Sequence, residues 1–196
     1  MAPSSALDLG HWYPLAPQWE GSAPDTLDGG PGHLLSPAWR LLVLGDGSPT
    51  RHLQLLTGQP TQVDLIDMRP IGHSRDGASA LLEAIPGPRL RRQVWLRGGQ
   101  ERLAYACSWW PTDRVDDLLE DRRQPIWASL SQHRLELYRD LRWVCHGDSP
   151  ALEVAFGQPG PFWGRYYYFW HQGQPLTLIY EVFSPLLDRY LQSPTI

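Results

Sequence analysis

Residues 162–185, FWGRYYYFWHQGQPLTLIYEVFSP, decide how this chain folds. Two aromatic and aliphatic runs flank HQGQP, a pattern that predicts a β-hairpin. In the second arm Leu176, Leu178, Tyr180 and Val182 point one way, and Thr177, Ile179, Glu181 and Phe183 the other. A strand that is apolar on both sides is buried on both sides. Glu181, between Ile179 and Phe183, therefore reads as an interior carboxylate, which costs several kcal/mol if unpartnered or else gives up its charge.

Similar segments lie upstream. RQVWL (92–96) and RLAYACSWW (102–110) flank RGGQE, with Gly98-Gly99 as the turn. TQVDLIDMRP (61–70) and LYRDLRWVCH (137–146) read as further strands, and SPALEVAFG (149–157) is ambiguous, with a strand as one reading. Two short helices come first. Ser36 caps one, with Pro37 in its first turn and Gly45 at its end; Ser48, Pro49 and Gly58 repeat the grammar. This pair is too brief, and too acidic at its GDG turn, for a DNA-binding module. TDRVDDLLEDRR (112–123) is an amphipathic helix, and a short helical piece starts at Pro125.

The order of short helices followed by hairpins occurs about twice, a hint of a duplicated unit. Hairpins without long crossovers predict an α+β fold: a single antiparallel sheet of about six strands with short helices on one face. Residues 1–33, rich in Pro, Gly and Ser, read as an irregular arm, and 34–196 as a single domain.

Composition narrows the chemistry. The chain has 196 residues, a net charge of −4 and no lysine: all 17 basic residues are arginine. Schiff-base catalysis, a pyridoxal phosphate anchor and a P-loop lysine are thereby excluded. The negative balance offers no bulk attraction to nucleic acid or anionic membrane. No apolar run approaches the roughly 20 residues of a membrane span, and the N-terminus lacks a signal-peptide pattern. A cytoplasmic monomer with two buried thiols, Cys107 and Cys145, is expected. The seven histidines show no metal-ligand spacing, and no serine or cysteine sits in a nucleophile elbow.

Two residues stand out. Arg92 shares a strand face with Val94 and Leu96, and the facing strand carries the small residues Ala104, Ala106 and Ser108. A planar guanidinium beside such space suits a carboxylate, whose two oxygens it binds at once. An arginine at a sheet edge reaching solvent is the alternative. Glu181, for its part, can equally pair with an arginine merely to hold the fold. Together the two suit a small ligand with a carboxylate at one end and a hydroxyl at the other.

Four blocks in this order resemble the chorismate–pyruvate lyases, most closely their cyanobacterial branch: LLVLGDGSPTRHLQLLTG, RQVWLRGGQERLAYACSWWP, PIWASLSQHRLELYRD and the opening hairpin with its W-G-R and G-x-P motifs. The likeness spans about residues 38–191. It implies conversion of chorismate to 4-hydroxybenzoate and pyruvate without metal or cofactor, supplying the ring for plastoquinone or other quinone biosynthesis. By the same resemblance Arg92 holds the ring carboxylate, Glu181 contacts the 4-hydroxyl end, the main chain at Ile126 completes the pocket, and Ala106 lines it. Arg92 and Glu181 are then the catalytic pair, with chorismate and 4-hydroxybenzoate as the small-molecule partners. Departures from the enterobacterial pattern are Ala106 for glycine, Ile126-Trp127 for leucine-glycine, an insertion before Phe162, and Pro49 for methionine. At that last position the family contacts its ligand through the main chain, and proline has no N–H to give. A ligand-sensing domain of the same fold is the alternative from another class.

Overall fold

The computed structural model describes residues 12–28, 30–118, 126 and 137–191. Seven strands form one antiparallel sheet: β1 (Ala16–Gly21), β2 (Thr61–Gly72), β3 (Arg89–Gly98), β4 (Glu101–Pro111), β5 (Tyr138–Asp148), β6 (Phe162–His171) and β7 (Gln174–Phe183). Their order is β1-β5-β6-β7-β4-β3-β2. Two meanders, β2-β3-β4 and β5-β6-β7, thus meet along the β4–β7 pair at the centre of the sheet. The opening hairpin is β6–β7, and Gln172 and Gly173 turn it with φ of 50° and 74°. Positive φ at both loop residues matches the twist of the flanking strands.

The helices are α1 (Ala23–Leu27), α2 (Pro37–Leu44), α3 (Pro49–Thr57), α4 (Thr112–Leu118), α5 (Pro150–Phe156) and α6 (Asp188–Leu191). The Ser-Pro…Gly grammar holds for α2 and α3. The Ser36 side chain accepts from the Trp39 N–H, and Gly58 ends α3 at φ 69°. The ambiguous segment 149–157 is α5, not a strand. It follows the same grammar, with Pro150 in its first turn and Gly157 closing it at φ 65°. The predicted helix 112–123 is described only to Leu118, and the helical piece from Pro125 lies outside the described residues except for Ile126.

Two expectations change. Helices cover both faces of the sheet, not one. Leu42, Val43 and Leu53 of α2 and α3 pack with Val94, Ala104, Ala106 and Phe183. On the opposite face Leu152 and Phe156 of α5 join Tyr105, Tyr180 and Val182. The reason is the two-sided apolar pattern of the central strands: each face needs cover.

The second change is in the N-terminal region, read as irregular. Residues 12–28 are ordered into the fold, and β1 is the seventh strand, paired with β5 from Ala16↔Asp148 to Gly21↔Val144. Trp12 anchors this stretch edge-on against Trp109 and Tyr180, with centroids 5.4 and 5.3 Å away. Ser22 and Asp25 close a reciprocal cap on α1. Cys107 and Cys145 are free and buried. No described helix is long and apolar enough to cross a membrane.

Candidate functional site

Register across the sheet sets the site. Glu181 of β7 lies opposite Ala106 of β4, and Ala106 opposite Val94 of β3. One pair further along, Ile179, Ser108 and Arg92 stand in a row. Ala106 and Ser108 leave a hollow between the strands that carry Arg92 and Glu181. At two strand spacings those strands are roughly 10 Å apart. The hollow is a cavity of about 40 Å³, and its walls include Arg92, Ala106, Ile126 and Glu181, all four residues singled out from the sequence. Ser48, Pro49 and Thr50, at the start of α3, form part of the wall on the helical side.

Arg92 and Glu181 are both interior, at 2% and 3% exposure. Glu181 is also held. Arg165 Nε donates to its Oε2 at 2.8 Å, and the Tyr167 hydroxyl donates to its Oε1 at 2.8 Å. Both partners sit on β6, where alternation puts Arg165 and Tyr167 on the Glu181 face. Burial first, and then the neighbouring carboxylate, push the Tyr167 hydroxyl far above its usual range, so it stays protonated and donates.

Arg165 reaches further. Its Nη1 donates to the carbonyls of Leu42, Val43 and Gly45 at 2.9, 3.1 and 2.9 Å. These are the orphan carbonyls at the end of α2, so one fully buried guanidinium ties the helical pair to the carboxylate. Arg139 of β5 does something similar, donating from Nη1 to the Gly47 carbonyl in the α2–α3 turn. Its guanidinium carbon lies 4.6 Å from the Tyr167 ring centroid and 4.9 Å from that of Phe169.

His52 of α3 registers this concentration of arginine. Burial, then the Arg165 and Arg139 charges, lower its imidazole below the usual range, with Glu181 and Asp46 opposing. Among the described residues no group of three or more His, Cys, Asp or Glu is arranged to hold a metal ion.

Arg165, Tyr167 and Arg139 join the site although no sequence pattern singled them out. The W-G-R motif contains Arg165, but its partner was not legible there. Glu181 combines two readings: it pairs with an arginine that holds the fold, and it lines the cavity.

Residues 43–191 match the profile of the Rv2949c-like chorismate pyruvate-lyases. The chain belongs to that family. The matched span nearly coincides with the four-block likeness over residues 38–191. Proteins of similar sequence include the uncharacterized protein ycf21 of Cyanophora paradoxa, 37% identical over 170 residues and covering 86% of this chain and 88% of that protein. The ycf21 protein of Pyropia yezoensis is 35% identical over 153 residues, covering 78% and 83%. Among solved structures, the effector domain of PhnF from Mycobacterium smegmatis superposes with a TM-score of 0.56 at 13% identity, covering 71% of this chain and 89% of that one. The C-terminal domain of the histidine utilization repressor from Pseudomonas syringae gives 0.51 at 13% identity, covering 69% and 99%. These two share the fold of this lyase-family chain.

Proposed function

We propose that the chain converts chorismate to 4-hydroxybenzoate and pyruvate, with Arg92 binding the ring carboxylate and Glu181 facing the 4-hydroxyl. The observation that carries this reading is one small cavity, in a chain of this family, walled by Arg92, Ala106, Ile126 and Glu181. The ether C–O bond breaks, the ring loses a hydrogen from the adjacent carbon, and that hydrogen ends on the enolpyruvyl methylene, which becomes the methyl of pyruvate. Atoms balance without a co-reactant, and aromatisation drives the step.

Two routes lead there. Glu181 transfers the proton, or the pocket folds the enolpyruvyl arm over the ring so that the hydrogen passes internally. Glu181 already accepts from Arg165 and Tyr167, one donor on each oxygen. A carboxylate so engaged is better placed to orient and polarise the hydroxyl than to shuttle a proton, which favours the internal route. Pro49 lines the cavity without an N–H; the Ser48 and Thr50 hydroxyls, 2.9 Å from each other, flank it and are the groups available in its place. The 4-hydroxybenzoate released is the ring precursor for a quinone.

The test is conversion of chorismate by the purified chain before and after exhaustive chelation. Equal rates are expected. Activity lost on chelation and restored by a divalent ion would contradict the metal-free reaction. Effector domains share the fold, so a non-catalytic sensor is the second reading; it predicts chorismate bound and not consumed.

The cavity's size adds an expectation. A cavity of roughly 150 Å³ accommodates a benzene ring. At about 40 Å³ this one is too small for a substituted ring until the α2–α3 cover moves. 4-Hydroxybenzoate keeps the carboxylate and hydroxyl that Arg92 and Glu181 recognise, so its binding is not specific to the transition state. Product release therefore limits turnover, and added 4-hydroxybenzoate at substrate-like concentration slows the reaction. Progress curves indifferent to added product would overturn this.

A further inference from the structure

Arg139 is the second arginine of the cavity wall, and the assignments above give it no ligand. Its surroundings are unlike those of Arg165. Arg165 has a carboxylate partner, whereas among the described residues Arg139 meets a carbonyl and two aromatic faces. The Arg139 Nε, like the Arg165 Nη2, is buried with no hydrogen-bond partner, and of these two arginines it is Arg139 that lines the cavity. A buried guanidinium edge without an acceptor carries a desolvation cost that an arriving anion removes.

Position supplies the second argument. In the order β5-β6-β7-β4-β3, Arg139 and Arg92 are four strand spacings apart, and Glu181 lies midway. That is roughly 19 Å between the outer strands and roughly 10 Å from each to the middle one. Two long side chains reaching inwards over Phe169, Ile179 and Ser108 span much of that gap, and all five residues line the same cavity. For a ligand with its ring carboxylate on Arg92 and its hydroxyl at Glu181, the wall of the same cavity on the β5 side is Arg139.

We propose that Arg139 anchors the second carboxylate of a dicarboxylate substrate, the enolpyruvyl carboxylate of chorismate, and so selects substrate over product; this rests on the lyase reading above. The same guanidinium holds the Gly47 carbonyl. Binding of the second carboxylate therefore fixes the α2–α3 turn as well as the enolpyruvyl arm. 4-Hydroxybenzoate, which has lost that arm, retains the contacts at Arg92 and Glu181 only.

Arg139→Gln and Arg139→Lys test this with two readouts: the chorismate KM and kcat, and calorimetric affinities for chorismate and for 4-hydroxybenzoate. A charged hydrogen bond inside a dry pocket is worth roughly ten- to a hundred-fold in binding. Arg139→Gln should weaken chorismate by that factor and leave 4-hydroxybenzoate within about two-fold. Arg139→Lys keeps the charge without the fork and should fall between. Equal losses for both ligands would mean that Arg139 only holds the turn, and no loss for either would remove it from the site; both outcomes overturn the inference. Thermal midpoints of the variants separate binding loss from misfolding. If the wild type binds chorismate in an Arg139-dependent way without converting it, the lyase reading fails and the anchor stands. If the wild type binds neither ligand, both fail.

Discussion

Replacing Arg165 by methionine should destabilise the fold by about 3–5 kcal/mol, the usual cost of removing one member of a buried ion pair. The substitution leaves Glu181 interior with only the Tyr167 hydroxyl as donor. It also strips three carbonyls at the end of α2 of the guanidinium that caps them. Methionine fills much of the volume, so the loss is electrostatic and not a cavity effect. Chemical unfolding with an unchanged denaturant slope measures it. Removing the carboxylate as well, in Arg165→Met/Glu181→Leu, should recover part of the stability, because apolar replacement of a buried pair is often neutral. A single-variant loss under about 1 kcal/mol would show that the pair does not hold the helical cover to the sheet.

Arg92→Lys should weaken both chorismate and 4-hydroxybenzoate by ten- to a hundred-fold, about 1.5–3 kcal/mol, since both carry the ring carboxylate and lysine lacks the bidentate fork. Turnover at saturation should rise towards the rate of the chemical step, because release of the weakened product no longer limits it. Glu181→Gln separates the two routes. With Glu181 as a positioning group, the glutamine variant keeps most of its turnover; as a proton carrier, it falls by ~10²–10⁴ with product affinity preserved. The internal route predicts the first result. Both variants need a folding check, because Arg165 loses its charged partner in Glu181→Gln. Normal folding with wild-type turnover and wild-type 4-hydroxybenzoate affinity in both would remove the pair from the site.

Why Arg92 and Glu181 were legible from the sequence while Arg165 was not is a matter of register. Arg92 and Glu181 stand out because each is charged on a strand face that is otherwise apolar. Finding the partner of Glu181 needs the pairing of β6 with β7. Counting back from the two-residue turn at Gln172-Gly173, His171 faces Gln174, which would put Arg165 opposite Tyr180. A bulge between Phe169 and Trp170 shifts the ladder by one and brings Arg165 opposite Glu181. Nothing local in QPLT announces the extra residue, Leu176, and a one-residue slip changes every cross-strand pair.

Elsewhere tertiary packing overrode local composition. Pro, Gly and Ser between residues 14 and 32 suggest loose chain, yet Trp12, Tyr13 and Leu15 are buried against the sheet and β1 follows from that anchoring. In α5 the helical stop and start signals were present, but Val154 and Phe156 also suit a strand. The cover over both faces was implicit in β7 itself. A strand apolar on both sides requires two layers, and helices on one face alone would leave Leu178, Tyr180 and Val182 uncovered.

The most direct test is the fate of chorismate supplied in large molar excess over the purified chain, followed by quantifying 4-hydroxybenzoate and pyruvate separately. A lyase of the kind proposed releases the two in equal amounts, many equivalents per protein, at a rate that the Arg92 substitution lowers when chorismate is limiting. Chorismate held at about one equivalent per protein and recovered unchanged would contradict the account and leave the fold serving as a sensor.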